Sequence, residues 1–182
     1  MSDNFEKFKN IPDKDERRVA EFLDKIGFLF IDSRSVFKKS ESEVAREIDL
    51  LFSFQNCLFI IEVSARKTTH NEKIISFFYK WEKKQNLKRL GEKYASLPNS
   101  VIRIFFDLST SSPENKSQEV EEATNEKGNK VVYKDEFEKY VSNNTEQTIN
   151  DFLGVNWFKN TVKINSKISL FLNKINRFVF RN

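Results

Sequence analysis

The spacing of apolar residues predicts an amphipathic helix over residues 13–26. Its apolar positions recur every three or four residues, so that they share one face: Val19, Phe22, Leu23 and Ile26. Asp13 or Asp15 can cap the start of this helix, and Gly27 follows its end.

Runs of apolar and alternating residues after this helix predict strands. The predicted strands begin at 28–31 and continue at 46–54, 57–65 and 101–109. Gln55 and Asn56 would join the second and third strands as a hairpin. A lysine-rich helical pattern over 72–95 separates the third strand from the fourth. The order helix, three strands, helix, strand predicts an α/β fold with a mixed central sheet flanked by helices.

The chain beyond this core is more polar. Residues 110–130 predict an acidic loop, followed by a short edge strand at 131–134 and a short helix at 135–141. We therefore expect one domain over residues 1–145, with its core at 13–109.

Residues 146–182 have a different character from the domain that precedes them. From Phe152 onward the chain contains Lys and Arg but no Asp or Glu, and its apolar residues fall on one helical face. This pattern predicts a basic amphipathic helical tail or a link to a further domain. The apolar face would dock on this domain, on another domain or on a second copy in a homodimer.

Composition limits the class of protein. The chain has 182 residues, a hydrophobic fraction of 38%, 19 Phe residues and a net charge of +4. Such a chain can bury a core, and its mildly basic character is compatible with a nucleic acid partner. A single cysteine, Cys57, excludes a disulfide within the chain. No apolar run approaches the length of a membrane span and the N-terminus lacks a signal-peptide core, so we expect a cytoplasmic protein without a membrane partner.

Two acidic residues, Asp49 and Glu62, interrupt the apolar second and third strands. Because side chains alternate along a strand, both carboxylates can converge on one point if the two strands are neighbours. Two buried carboxylates repel each other unless a proton or a cation lies between them. A divalent ion such as Mg²⁺, or Mn²⁺ in its place, would resolve this repulsion.

The sequence around these acids, "EID" followed by "EVSAR", resembles the motif of the PD-(D/E)xK nuclease superfamily, in its restriction-endonuclease-like and Holliday-junction-resolvase-like branches. The likeness covers residues 13–109 and includes Glu16 in the opening helix. It implies a restriction-endonuclease-like core of order α-β-β-β-α-β. It also implies a Mg²⁺-dependent nuclease that hydrolyses DNA phosphodiester bonds. Asp49, Glu62 and the carbonyl of Val63 would bind the metal, and Glu16 would be an accessory acid.

The chain departs from this motif at Ser64, where the family has a lysine. Serine cannot supply the positive charge that stabilises the reacting phosphate. Lys67 lies about 10 Å further along an extended strand, and its side chain can reach back if the chain turns. Lys38 or Lys39 could also reach the site. Either the lysine has migrated to another position, or the site no longer catalyses hydrolysis.

Residues 66–93 carry nine basic and three acidic residues, and they directly follow the acidic strand. This pattern is typical of a solvated helix, but its position also favours contact with a phosphate backbone. The candidate nucleic-acid contacts are Arg66, Lys73, Lys80 and Lys84.

Three functions remain open at the level of sequence. The first is the metal-dependent endonuclease. The second is a catalytically inactive nuclease-fold module that binds nucleic acid or a protein partner within a larger defence or repair protein. The third is a protein-interaction scaffold, which would show neither DNA cleavage nor salt-sensitive DNA binding.

Overall fold

A computed structural model describes residues 7–37, 46–55, 57–65, 70–94, 100–109, 117–125, 128–142 and 149–154. Its strands are β1 (Leu29–Phe37), β2 (Arg46–Phe54), β3 (Cys57–Ser64), β4 (Ser100–Asp107) and β5 (Asn129–Tyr133). Its helices are α1 (Lys14–Lys25), α2 (His70–Glu82), α3 (Lys84–Tyr94), α4 (Gln118–Asn125), α5 (Lys134–Ser142) and α6 (Ile149–Leu153).

The five strands form one mixed sheet in the order β1-β2-β3-β4-β5. The pairs β1–β2 and β2–β3 are antiparallel, whereas the pairs β3–β4 and β4–β5 are parallel. The parallel pairs require crossover connections, and α2 with α3 and then α4 lie along the chain between the paired strands. The predicted α/β fold with a mixed sheet flanked by helices is therefore confirmed.

Helix α1 begins and ends where its sequence predicts. The Asp13 side chain accepts hydrogen bonds from the backbone N–H groups of Asp15 (2.8 Å) and Glu16 (3.0 Å), so Asp13 is the cap. Gly27 has φ 105°, a left-handed conformation that glycine adopts without strain. The chain can therefore leave the helix and enter β1 almost at once.

The strands agree closely with the predicted ones, apart from β1. β2 has the predicted bounds, and Gln55 in the turn that follows it has φ 47°. β1 continues to Phe37, well beyond the predicted 28–31, and its pairing with β2 shifts register between Phe30 and Asp32. The polar residues in its second half mask the strand signal. The predicted edge strand at 131–134 corresponds to β5, which begins at Asn129.

Two helical predictions need correction. The single helix expected over 72–95 is two helices, because Lys83 separates α2 from α3. The turn is fixed by the carbonyl of Lys83, which accepts a hydrogen bond from the Asn86 N–H at 2.9 Å. The acidic loop expected over 110–130 contains α4, whose Val120 is buried against the sheet. One buried apolar residue among many acids gives too weak a period to predict a helix.

The sheet separates two apolar cores. The first core, on the side of α1, α5 and α6, includes Val19, Leu23, Phe28, Phe52, Phe59, Phe106, Phe137 and Phe152. The second core, on the side of α2, α3 and α4, includes Ile48, Leu51, Ile60, Ile74, Phe78, Trp81, Leu90 and Phe105. Burial on both faces explains why β3 and β4 are nearly continuous apolar runs.

The predicted tail over 146–182 lies mostly outside the described residues. Its described part contains α6, where Phe152 packs edge-on against Phe22 with ring centroids 5.3 Å apart. Within the parts of the chain described here, no helix combines the length and the apolar character needed to cross a membrane.

Candidate active site

Asp49 and Glu62 lie at the same end of the β2–β3 hairpin, away from its turn. The paired register runs from Phe54↔Cys57 to Leu50↔Ile61, so these two acids are the next position on each strand. The prediction that neighbouring strands bring the two carboxylates to one end of the sheet agrees with this register. Glu62 in turn lies beside Phe105 of β4.

The Asp49 carboxylate is held by the backbone of the neighbouring strand. Its Oδ2 accepts a hydrogen bond of 2.8 Å from the Val63 N–H. Burial raises the pKa of Asp49, while this hydrogen bond and the positive charge of Lys73 act in the opposite direction. The described contact of Val63 with Asp49 is through its N–H, and the role of its carbonyl as a metal ligand stays a prediction.

Glu62 is a largely buried carboxylate, with 18% of its side chain exposed. Burial, followed by repulsion from the charge of Asp49, raises the pKa of Glu62 to about 7. Lys73 and Lys80 oppose that shift. The charge of Asp49 thus acts on Glu62, as expected for two carboxylates at adjacent positions of neighbouring strands.

Lys73 brings an ammonium group to this pair from helix α2. Its Nζ donates a hydrogen bond to the Ser64 Oγ at 3.2 Å and lies 3.6 Å from the Glu62 Oε1. The same Nζ lies 5.7 Å from the centroid of the Phe105 ring. Lys73 was predicted as a nucleic-acid contact, and the structure brings it to the two acids of the site.

Glu16 lies at the margin of the site, where Arg34 binds it. The Arg34 guanidinium donates to the two carboxylate oxygens of Glu16 at 3.0 and 3.3 Å. Burial raises the pKa of Glu16, the hydrogen bonds from Arg34 lower it, and the charge of Asp49 raises it further. Glu16 is thus near enough to Asp49 to be affected by its charge. Its role as an accessory acid stays a prediction.

The other predicted basic residues have different positions. The Lys80 Nζ donates to the Glu47 carbonyl oxygen at 2.9 Å, two helical turns along α2 from Lys73. Lys84 is exposed at the start of α3. The remaining predicted basic groups lie outside the described residues: Lys38, Lys39, Arg66 and Lys67.

Two groups beside the site were not predicted. Arg34 has φ 50°, a left-handed conformation that no sequence pattern announced. Asp107, buried at the end of β4, pairs in register with Ser64 and accepts hydrogen bonds from Ser109. The one available signal was the acid that ends the otherwise apolar run of β4, at the edge where parallel strands present their carboxyl ends.

The donor set fits a hard cation of the Mg²⁺ type. Among the residues that the structure describes, no group of three or more His, Cys, Asp or Glu side chains is arranged to hold a metal ion. Mg²⁺ is nevertheless often bound by one or two carboxylates together with water and substrate phosphate. Asp49 and Glu62 provide two carboxylates whose raised pKa values a cation would lower again.

The site therefore combines two interacting carboxylates with one ammonium group at a partly exposed edge of the sheet. Such an arrangement can bind a divalent cation and a negatively charged group together. Comparisons of the chain with protein-family models, curated proteins and solved structures give no match.

Proposed function

We propose that this protein is a metal-dependent endonuclease that hydrolyses phosphodiester bonds of DNA, with Mg²⁺ or Mn²⁺ bound between Asp49 and Glu62. The observation that carries the proposal is the shared environment of these two carboxylates at the ends of adjacent strands. Burial and the charge of Asp49 raise the pKa of Glu62 to about 7, which is costly for a carboxylate that does no more than support the fold.

The fold supports the same reading. One helix, an antiparallel three-stranded unit, two crossover helices and a parallel fourth strand follow each other along residues 14–107. This order agrees with the restriction-endonuclease-like core that the sequence resemblance implies. Because a fold hosts many functions, the argument for hydrolysis depends on the site and not on the architecture.

Each residue of the site has a distinct task in this proposal. Asp49 and Glu62 bind the cation, and the Val63 N–H keeps the Asp49 carboxylate in a fixed orientation. The bound cation would polarise the scissile phosphate and lower the pKa of an attacking water. Lys73 adds positive charge beside Glu62. The apolar strands β2 and β3 hold both carboxylates on a rigid support.

The surface next to the site favours a polyanionic substrate. Lysines recur in α2, in α3 and between them, the helices that follow the acidic strand in the chain: Lys73, Lys80, Lys83, Lys84 and Lys88. Basic side chains along one surface attract phosphates without reading the base sequence. DNA binding should therefore weaken steeply as the salt concentration rises.

The proposal can be tested with purified protein, supercoiled plasmid and Mg²⁺ or Mn²⁺. We expect nicked and linear DNA to form, and EDTA to stop the reaction. Asp49→Asn keeps an oxygen that can accept from the Val63 N–H but removes the charge. Its loss of activity should exceed the roughly 10–100-fold that removal of an outer-shell partner costs at metal sites.

Glu119→Gln is the matched control, because it removes the same charge from an exposed position on α4. It should cleave as fast as the unmodified protein. Cleavage by Asp49→Asn at the unmodified rate would refute the proposal, since a ligand of the essential cation cannot be dispensable.

A second candidate function is a nuclease-fold module that binds nucleic acid without cleaving it. The presence of Ser64 in place of a lysine favours this alternative. Salt-sensitive DNA binding, together with no cleavage by the unmodified protein in Mg²⁺ or Mn²⁺, would support it over the endonuclease.

A further inference from the structure

Ser64, the residue that replaces the lysine of the family motif, is buried and accepts a hydrogen bond from Lys73. We propose that Lys73, from helix α2, supplies the positive charge that acts on the reacting phosphate, so that the lysine is present in space although it is absent from the strand. This inference rests on the proposed endonuclease function and assigns one residue of that site.

Three contacts determine where the Lys73 ammonium lies. Its Nζ is 3.2 Å from the Ser64 Oγ, 3.6 Å from the Glu62 Oε1 and 5.7 Å from the centroid of the Phe105 ring. These partners belong to adjacent strands, β3 and β4, on the side of the second core. The ammonium is therefore held directly above the strand position at which a motif lysine would begin.

Helix α2 is anchored so that Lys73 cannot drift far from this position. The next residue, Ile74, is fully buried, and Phe78 and Trp81 are buried one and two turns further along. By contrast, 44% of the Lys73 side chain is exposed. The backbone is thus fixed by the second core, while the charged end of the side chain is accessible to a substrate.

The residue at position 64 is consistent with this arrangement. The Ser64 side chain is short, and its hydroxyl accepts from Lys73. A lysine in its place would bring a second ammonium toward the volume that Lys73 Nζ already occupies, and like charges at such distances repel. A serine at position 64 therefore leaves this space to the Lys73 ammonium, whereas a lysine there would compete with it.

The position of Lys73 is unfavourable for a residue with no task at the site. It lies in the first turn of α2, where the helix dipole disfavours a positive charge. An ammonium group has three N–H donors: Ser64 accepts from one of them, and a second is engaged by the Glu62 carboxylate at 3.6 Å. The third donor can orient a water or stabilise the negative charge that develops on phosphate.

The test is an exchange of the two positions. Lys73→Met should reduce the rate of plasmid cleavage at saturating Mn²⁺ by roughly 100-fold or more, as loss of one stabilising donor does in other enzymes. The double variant Lys73→Met with Ser64→Lys should recover at least tenfold of that loss. The thermal shift produced by Mn²⁺ should be retained in both variants, because the two carboxylates are unchanged.

Lys139→Met, which removes a positive charge from an exposed position on α5, is the matched control and should cleave normally. Lys73→Arg, which keeps the charge, separates loss of charge from loss of folding, and we expect it to retain more activity than Lys73→Met.

Cleavage by Lys73→Met at the unmodified rate would overturn the assignment of Lys73 alone. A lower melting temperature of Lys73→Met with no recovery in the double variant would reveal a merely structural role and would also overturn it. Absence of cleavage by the unmodified protein would overturn the endonuclease proposal itself, and this assignment with it.

Discussion

The two ends of the β2–β3 hairpin differ in the side chains that they carry. At the turn end, Phe52, Cys57 and Phe59 are buried, and the Phe28 ring packs edge-on against Phe59 with centroids 4.8 Å apart. At the other end, the same two strands carry the polar side chains of Asp49, Glu62 and Ser64. The change from packing to polar chemistry takes place within one pair of strands.

This difference shows how the fold tolerates a costly site. Burial raises the pKa of both Asp49 and Glu62, so the charged forms that would bind a cation are disfavoured in the folded protein. The aromatic contacts at the turn end provide stability that does not depend on pH. Rigid strands then carry the acids into a fixed arrangement at the opposite end.

The turn end should be the more sensitive of the two to loss of packing. Phe59→Ala removes a fully buried ring that lies against Phe28, and the cavity should lower the free energy of unfolding by about 3–5 kcal/mol. Urea denaturation at pH 7 measures this loss. Leu29→Ala, at a position that is 65% exposed, is the control and should change stability by less than about 0.5 kcal/mol. Equal effects of the two substitutions would contradict the contrast between the two ends.

The site end should instead give stability a dependence on pH. The pKa of Glu62 rises from its ordinary value of 4.5 to about 7 on folding, so the folded protein binds this proton more tightly than the unfolded chain does. The resulting stability is fully present below pH 4.5 and is lost as the pH rises through about 7. The loss is on the order of 3–4 kcal/mol, since each pKa unit corresponds to about 1.4 kcal/mol.

Glu62→Gln isolates this effect, because glutamine has nearly the same shape and does not titrate. Urea denaturation of both proteins in EDTA, between pH 4.5 and pH 8, should give curves that diverge as the pH rises, with the variant gaining relative to the unmodified protein. Parallel curves would mean that folding does not raise the pKa of Glu62, which would contradict this prediction.

The smallest expected effect concerns the turn itself. Gln55 has φ 47°, which costs an ordinary residue more than it costs glycine. Gln55→Gly should therefore stabilise the protein by about 0.5 kcal/mol, after allowing for the greater freedom of glycine in the unfolded chain. Gln55→Ala, which cannot relieve the strain, is the control, and thermal unfolding compares the two. A gain from alanine as large as that from glycine would indicate that strain at this turn is not the cause.

Much of the fold could be predicted from the sequence because local patterns determine it. The apolar stripe of α1 and its Asp13 cap gave that helix, and apolar runs gave β2 with its observed bounds. The break at Lys83 and helix α4 were missed, since packing against the sheet defines both and the local pattern is weak. The polar second half of β1 was missed because pairing with β2, and not its own composition, makes it a strand.

The candidate site was predictable only in part. A period of two and a hairpin are enough to bring Asp49 and Glu62 to one end of the sheet. The position of the Lys73 ammonium depends on how α2 packs across β3 and β4, which no strand pattern contains. Likewise, the pairing of Arg34 with Glu16 depends on a left-handed residue within a strand.

The residues of the candidate site lie close together in the sequence, which affects how the site forms during folding. The groups that would bind the cation and phosphate all come from one continuous stretch, from Asp49 to Lys73. Their mutual contacts need a single hairpin to close and a single helix to dock on it, and contacts between residues near in sequence form rapidly. The elements α5, β5 and α6 contribute none of these groups, so changes on their exposed faces should leave the geometry of the candidate site intact.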